Sequence, residues 1–196
     1  TQIQNVELSL FPYSTKACQV SFPLMNNGSP QLWGDRPDNY WLPIPAANII
    51  LRWDGSTWVS MSLPGEVNGA WGSRSGDVWA VSYNGIVHWD GTAWALQSSG
   101  TTFQLNAIWG SDANNVWAVG TQGAVRKWDG AAWAAQTSGT TAALEGAWGT
   151  DANNIWAVGE AGIIRKWNGT AWSAQTSGSM RNLMAVWGTD ASNIWA

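Results

Sequence analysis

Few residues in this sequence could carry chemistry, and most of them recur. His88 is the only imidazole and Cys18 the only thiol. One of each excludes a His/Cys zinc cluster, a disulfide framework and a Cys-x-x-Cys redox site. His88 invites a general-base reading, but no nucleophile or second ligand accompanies it. In equivalent stretches its place is taken by Arg52, Lys127 and Lys166, so the position asks for a basic or polar side chain beside a Trp rather than an imidazole. Asp112, Asp151 and Asp190 each open a short Asp/Asn-rich run. Alternating oxygens of that kind could suit calcium. No EF-hand-like Gly and distal Glu follow, so the runs read as structural turns. Asp54, Asp90 and Asp129 stand in a Trp-Asp-Gly-x-x-Trp phrase, and Asn168 replaces the acid in a fourth copy. A catalytic carboxylate pair would not be exchanged so freely. The arginines (Arg36, Arg52, Arg74, Arg126, Arg165, Arg181) are spread along the chain, not clustered as a sialidase-like site needs. Nothing matches a phosphate loop or a nucleophile with its base. The expectation is a non-enzymatic protein with no cofactor and no catalytic or metal-binding residue.

Binding chemistry is better represented. The 196 residues include 18 Trp against 3 Phe and 3 Tyr. An indole is a large apolar body with one N–H, suited both to a core and to stacking on the C–H face of a sugar. The Trp pairs that flank the Asp-Gly phrase are the candidate carbohydrate platforms: Trp53 and Trp58, Trp89 and Trp94, Trp128 and Trp133, Trp167 and Trp172. Packing between neighbouring units is the competing role for them. Arg126-Lys127 and Arg165-Lys166 form small basic pairs whose members alternate between strand faces. Arg126 and Arg165 join the candidate glycan or lipopolysaccharide contacts, against a plainer role as a solvated outer edge. Charged residues are 11 % of the chain and the net charge is −4, from 13 acids and 9 bases. Such a chain cannot neutralise a run of phosphates, so nucleic acid is excluded as a partner. Its apolar runs are too short to span a bilayer as a helix.

The elements that must position these residues follow from a repeat. Trp-Gly recurs at Trp33, Trp71, Trp109, Trp148 and Trp187, at spacings of 38, 38, 39 and 39. A second Trp follows eight residues later, at Trp41, Trp79, Trp117, Trp156 and Trp195. The third (Trp53, Trp89, Trp128, Trp167) and the fourth (Trp58, Trp94, Trp133, Trp172) complete the set, so every Trp is in register. The units are 29–66, 67–104, 105–143 and 144–181, with a partial one at 182–196, after an extension at 1–28. The first unit is the most divergent and carries a Pro43-Ile44-Pro45 insertion, as suits a terminal capping repeat.

Within the third unit four short strands are expected: Asn106 to Gly110, Val116 to Gly120, Ala124 to Trp128 and Ala132 to Gln136. Asp/Asn turns separate the first two, and Asp129-Gly130 marks a tight hairpin between the last two. No stretch has a helical period. Four strands per unit of about 40 residues is the arithmetic of a β-propeller blade. The fold class is all-β, with a β-solenoid as the alternative. Strands run from innermost to outermost. The first Trp then lies near the channel, the second between blades, both as core, and the third and fourth flank the outer hairpin.

The run Leu-x-x-(Ile/Ala)-Trp-Gly-(Ser/Thr)-Asp-Ala-Asn-Asn-(Val/Ile)-Trp-Ala-Val-Gly, followed by Lys-Trp-(Asp/Asn)-Gly-x-Ala-Trp, resembles a tectonin-type repeat. Gln-Thr-Ser-Gly-Thr-Thr-x-x-Leu with Trp-Ala-Val-Gly-x-x-Gly is also similar to propellers of the photosystem II assembly-factor type. Those carry an Asp-box hairpin where this chain has Trp-Asp-Gly-x-x-Trp. Trp-rich arrays of this kind are common in secreted and surface proteins of myxobacteria and their relatives. The resemblance covers about 29–196. It implies a propeller fold and, from the tectonins, glycan recognition by several weak sites acting through avidity.

Two closures are open. Candidate strands at Asn5 to Phe11 and Cys18 to Met25 could complete a five-bladed ring, or the array belongs to a six- or seven-bladed one. The sequence stops inside a strand, which favours the second. Cys18, unpaired within the chain, is either a buried thiol or a link to another chain. The expected function is a secreted or cell-surface bacterial lectin. The competing reading is an assembly subunit of a surface layer, sheath or fibre, with residues 1–28 making the inter-subunit contact by strand addition. The missing initial Met and low-charge polar surface suggest a processed, exported chain.

Overall fold

The computed structural model describes residues 32–44 and 48–196, and the backbone of two strands within 1–31. Those strands, β1 (Ile3–Leu8) and β2 (Cys18–Pro23), pair antiparallel as a sheet of their own. The first blade is β3 (Trp33–Arg36), β4 (Asn39–Ile44), β5 (Ile49–Trp53) and β6 (Trp58–Ser62). The second is β7 (Val67–Arg74), β8 (Asp77–Ser82), β9 (Gly85–Trp89) and β10 (Trp94–Gln97). The third is β11 (Leu105–Asp112), β12 (Asn115–Gly120), β13 (Val125–Trp128) and β14 (Trp133–Gln136). The fourth is β15 (Leu144–Asp151), β16 (Asn154–Gly159), β17 (Ile164–Trp167) and β18 (Trp172–Gln175). A two-stranded sheet follows, β19 (Trp187–Asp190) and β20 (Asn193–Trp195).

Each four-stranded sheet is an antiparallel meander in chain order, and the first strands of successive sheets lie against one another. The fold is therefore the all-β propeller that the repeat predicts. β1 and β2 overlap the candidate closing strands, but they pair with each other and not with β19 or β20. The described sheets form no closed ring. The side-chain role considered for Cys18 lies outside the described residues, as does Pro45.

Burial explains the sequence pattern within a blade. β8 is buried at every residue and β12 at all but its first, because inner strands are covered by a neighbouring blade on both faces. They read as continuous apolar runs. The outermost strands β10 and β14 are exposed in their middles. The core is divided into seams between successive blades. One holds Trp41, Ile50, Val67, Val78 and Val87; the next Trp79, Ile86, Leu105 and Ile108; the third Trp117, Val119, Leu144 and Ile155.

The first Trp of each unit is also a seam residue. Its ring lies on the Trp-Gly glycine of the following blade: Trp33 on Gly72, Trp71 on Gly110, Trp109 on Gly149 and Trp148 on Gly188. A Cβ on Gly110 would stand 2.7 Å from the Cη2 of Trp71, too close for any side chain. The dipeptide is thus a connector, its Trp reaching forward and its Gly receiving from behind. In the first blade the slot over Gly34 is filled by the blade's own Tyr40, whose Cδ1 would be 2.3 Å from such a Cβ. Tyr40 replaces the Val or Ile of the sister units, which gives the capping character of this unit a concrete form. Two single-turn 3₁₀ segments, Thr121–Gly123 and Glu160–Gly162, follow the second strands of the third and fourth blades.

Gly110→Ala is expected to destabilise the protein by about 1–3 kcal/mol in denaturant unfolding, through overpacking against Trp71. Gly76→Ala, whose Cβ would meet only the Cα of Gly91 at 3.6 Å, should change little by comparison.

Candidate functional site

The outer hairpins carry most of the predicted site residues. Trp53 pairs with Trp58 across the hairpin, Trp89 with Trp94, Trp128 with Trp133 and Trp167 with Trp172. Four residues separate each pair, so the loop is longer than the tight Asp-Gly turn expected. Gly takes the positive φ, near +96° to +100° at Gly55, Gly91 and Gly130. The Asp acts through its side chain. Asp129 Oδ1 accepts from the backbone N–H groups of Ala131 and Ala132, both at 2.9 Å. Asn168 Oδ1 accepts the equivalent pair from Thr170 and Ala171 at 3.0 Å, which is why the acid is exchangeable. The backbone N–H of Thr57, with the hydroxyl and N–H of Ser56, holds the Asp54 carboxyl down to about 2. The Thr92 hydroxyl, with the N–H groups of Ala93 and Thr92, does the same for Asp90, also to about 2.

These hairpins meet the second Trp of the preceding blade. Trp41 lies 5.6 Å from both Trp89 and Trp94. Trp79 lies 4.8 Å from Trp128 and 5.3 Å from Trp133; Trp117 lies 4.9 Å from Trp167 and 5.5 Å from Trp172. In each seam one contact is tilted and the other edge-to-face, the geometries that the indole quadrupole favours. Trp89, Trp167 and Trp172 are therefore buried, and Trp94, Trp128 and Trp133 half-buried. Trp53 and Trp58, on the first blade, are half-buried and 5.6 Å apart. In the last unit the first and second Trp, expected as core, are 59 % and 55 % exposed at Trp187 and Trp195.

The basic position before the third Trp now has a reason. It pairs across strands with the second Trp and covers its ring: Arg52 over Trp41 at 5.2 Å, Lys127 over Trp117 at 5.2 Å and Lys166 over Trp156 at 4.8 Å. His88 fills this role in the second blade, stacked on Trp79 at 4.0 Å. Its Nε2 lies 2.6 Å from Asp77 Oδ1, and the Ser73 hydroxyl donates to Asp77 Oδ2. Ser73 thus bonds the carboxylate, not the imidazole, and the trio is no nucleophile relay. Arg126 and Arg165 point the other way. Their Nη2 atoms donate to the carbonyls of Gly100 and Gly139 at 2.6 Å, tying each hairpin to the link before its blade.

The Asp/Asn turns occupy their own oxygens. Asp112 Oδ1 accepts from the N–H of Asn114 at 2.9 Å and the Asn115 amide at 3.0 Å, and Asp151 repeats the pattern. Asp190 accepts from Ser192 N–H at 2.8 Å and Asn193 at 2.7 Å. Two features escaped the sequence reading. A groove of about 570 Å³ is lined by Gly123 and residues 136–141, the Gln-Thr-Ser-Gly-Thr-Thr phrase that carried the family resemblance but no site. Recurrence of Gln-(Ser/Thr)-Ser-Gly at Gln97, Gln136 and Gln175 was the available signal. Glu145, which accepts from the Asn106 amide at 3.0 Å, is the other; burial and the nearby Glu160 push its carboxyl up.

No family model and no curated protein matches the chain. Solved structures do. One is YCF48 bound to D1 peptide, at 16 % identity and a TM-score of 0.67, covering 92 % of this chain and 65 % of that one. The WD40 β-propeller domain of Doa1 matches at 13 % and 0.70, covering 83 % and 58 %. A catalytically inactive virginiamycin B lyase from Staphylococcus aureus with quinupristin matches at 14 % and 0.66, covering 94 % and 78 %. The chain thus spans less than two thirds of the YCF48 and Doa1 chains. At such identities the likeness establishes the β-propeller fold and no shared activity.

The Asp77–His88 pair makes a pH prediction. Burial works to raise the Asp77 carboxyl, but hydrogen bonds from His88 and Ser73 and the charges of His88 and Arg74 outweigh it and hold it below the ordinary value. A depressed folded pKa stabilises above the unfolded value of about 3.9 and loses that contribution as pH falls through the folded one. Sister units carry Asn at the position of Asp77, so Asp77→Asn should fold. The stability difference between wild type and this variant should be greatest near neutral pH and shrink below about pH 4 in denaturant titrations.

Proposed function

We propose that this chain is a non-enzymatic binding propeller whose Trp-clamped blades form a rigid scaffold and whose ligand is a protein or peptide segment. The observation that carries the reading is the fate of the indoles. Six of the eight hairpin Trp contact the preceding blade's second Trp and so are taken up by packing, while an open groove lies at residues 136–141. Its amide, hydroxyl and backbone groups suit an extended peptide. The structurally similar YCF48 is itself bound to a peptide, which supports the same ligand class here.

Glycan recognition is the second reading. It is favoured by the half-buried Trp53–Trp58 pair, 5.6 Å apart on the outer hairpin of the first blade. Lipopolysaccharide would belong to the same class. A surface-layer, sheath or fibre subunit is the third, favoured by the separate β1–β2 sheet within residues 1–28. With each reading we place the protein outside a bacterial cell, on the strength of its low charge and its polar Ser, Thr, Asn and Gln surface.

Peptide and glycan arrays probed with the whole chain, alongside light scattering, separate these. The expected result is selective peptide binding by a discrete species, weakened about tenfold by Gln136→Ala with Thr141→Ala, a loss of hydrogen bonds of about 1.4 kcal/mol. Selective glycan binding that is lost in Trp53→Ala would overturn the peptide reading. Large assemblies without either signal would leave the scaffold role.

A further inference from the structure

We propose that Asn168-Gly169 is a deamidation site, at which the backbone nitrogen of Gly169 displaces the side-chain amide and leaves the fourth blade with the Asp that its sisters carry. The inference concerns covalent chemistry of the chain itself and does not depend on the ligand proposed above. Asn-Gly occurs four times, at Asn27, Asn68, Asn84 and Asn168. Each meets the first requirement, because glycine has no Cβ to shield its nitrogen. Asn27 lies outside the described residues, and the structure separates the other three. At Asn68 the amide Nδ2 donates to the carbonyl of Leu105 at 2.7 Å, and Gly69 is a buried residue of β7. At Asn84 Nδ2 donates to the carbonyl of Pro64 at 3.1 Å, and Gly85 pairs with Ser82 across the β8–β9 turn. Both amides are thus tethered through the nitrogen that must leave as ammonia.

Asn168 is held the opposite way round. It is exposed, and its Oδ1 accepts from the N–H of Thr170 at 3.0 Å, the N–H of Ala171 at 3.0 Å and the Thr170 hydroxyl at 2.8 Å. No described residue accepts from its Nδ2. As the Gly169 nitrogen bonds to Cγ, its proton passes to solvent and the carbonyl electron pair moves onto Oδ1. The three donors stand where that negative charge develops, the arrangement that stabilises an oxyanion. Collapse of the intermediate breaks the Cγ–Nδ2 bond. The nitrogen takes a proton from water and departs as ammonia, leaving a cyclic imide. Water then opens the imide, at Cγ to give Asp or at the main-chain carbonyl to give isoaspartate. No oxidant or reductant takes part.

The loop is built for the first product. Asp90 accepts the same three donors in the second blade, the N–H of Thr92 at 2.8 Å, its hydroxyl at 2.7 Å and the N–H of Ala93 at 2.9 Å. Those bonds hold the Asp90 carboxyl down to about 2, so a loop of this form stabilises the ionised acid. Isoaspartate would add a carbon to the main chain between Trp167 and Trp172, which face one another across the hairpin. Every donor and acceptor named at Asn168 belongs to the hairpin of the fourth blade.

The test incubates the whole folded chain in mildly alkaline buffer and maps the products by peptide mass spectrometry, with fragmentation that distinguishes Asp from isoaspartate. Reaction at Asn168 is expected to be at least about tenfold faster than at Asn68 or Asn84, with Asp as the main product. In denaturant the three steps should react at similar rates, since donors and tethers are then gone. Thr170→Ala places there the residue that the third blade has at Ala131, so the variant should fold. It should slow the reaction at Asn168 about fivefold, through loss of one hydrogen bond to the developing charge. Asn168→Asp, the expected product, should keep the thermal midpoint of wild type or raise it. Equal rates at the three steps in the folded chain, a preference for Asn168 that persists in denaturant, or no effect of Thr170→Ala would each overturn the proposal. So would isoaspartate as the main product.

Discussion

The second indole of each unit is the contact on which the rest of the structure depends. In the first three blades Arg52, His88 or Lys127 covers it from its own blade on one side, and the next blade's hairpin pair closes against it on the other. Two aromatic pairs of this kind are worth about 1–3 kcal/mol per seam beyond the area that they bury. Trp41 Nε1 donates to Asn39 Oδ1 at 2.9 Å, but in the third seam the indole N–H groups give no such help. Those of Trp117, Trp167 and Trp172 are buried and have no hydrogen-bond partner, so the aromatic contact and the burial must offset that cost. The arrangement also has a direction. Both the Trp of Trp-Gly and the second Trp reach toward the following blade, so each blade is a socket on one face and a plug on the other. Blades of this kind stabilise one another in series, as in other repeat proteins.

That direction gives each blade a slot on its Trp-Gly glycine that something must fill. The first blade seals its socket with Tyr40, at the cost of departing from the Val or Ile of its sisters. The later glycines, Gly72, Gly110, Gly149 and Gly188, instead receive the Trp of the blade before them. A rigid series of blades joined by aromatic seams leaves recognition to the loops, and the groove at residues 136–141 is such a place.

The fold was legible because one signal, the Trp register, fixes strand order, blade length and unit number together. The turn chemistry was legible in part. Asp129-Gly130 announced a hairpin, but the Asp works by accepting two backbone N–H bonds in a four-residue loop, which spacing alone does not show. What could not be read was which face of an indole is covered. Trp53 and Trp167 occupy the same repeat position, yet only Trp167 has a preceding blade's Trp against it, so exposure follows from the neighbour and not from the residue. The meaning of Trp-Gly was hidden for the same reason, since the Trp and the Gly that touch are in different units. His88 was rightly grouped with Arg52, Lys127 and Lys166, but its carboxylate partner Asp77 replaces an Asn and gave no separate signal.

The most direct test of the clamp is a double-mutant cycle between Trp117 and Trp172, which meet edge-to-face at 5.5 Å across the third seam. Trp117→Leu, Trp172→Leu and the double variant would be compared with wild type by denaturant unfolding. The account predicts a coupling energy of about 1 kcal/mol or more, because each indole's contribution exists only with the other in place. Additive losses would contradict it and reduce the two residues to independent apolar filling.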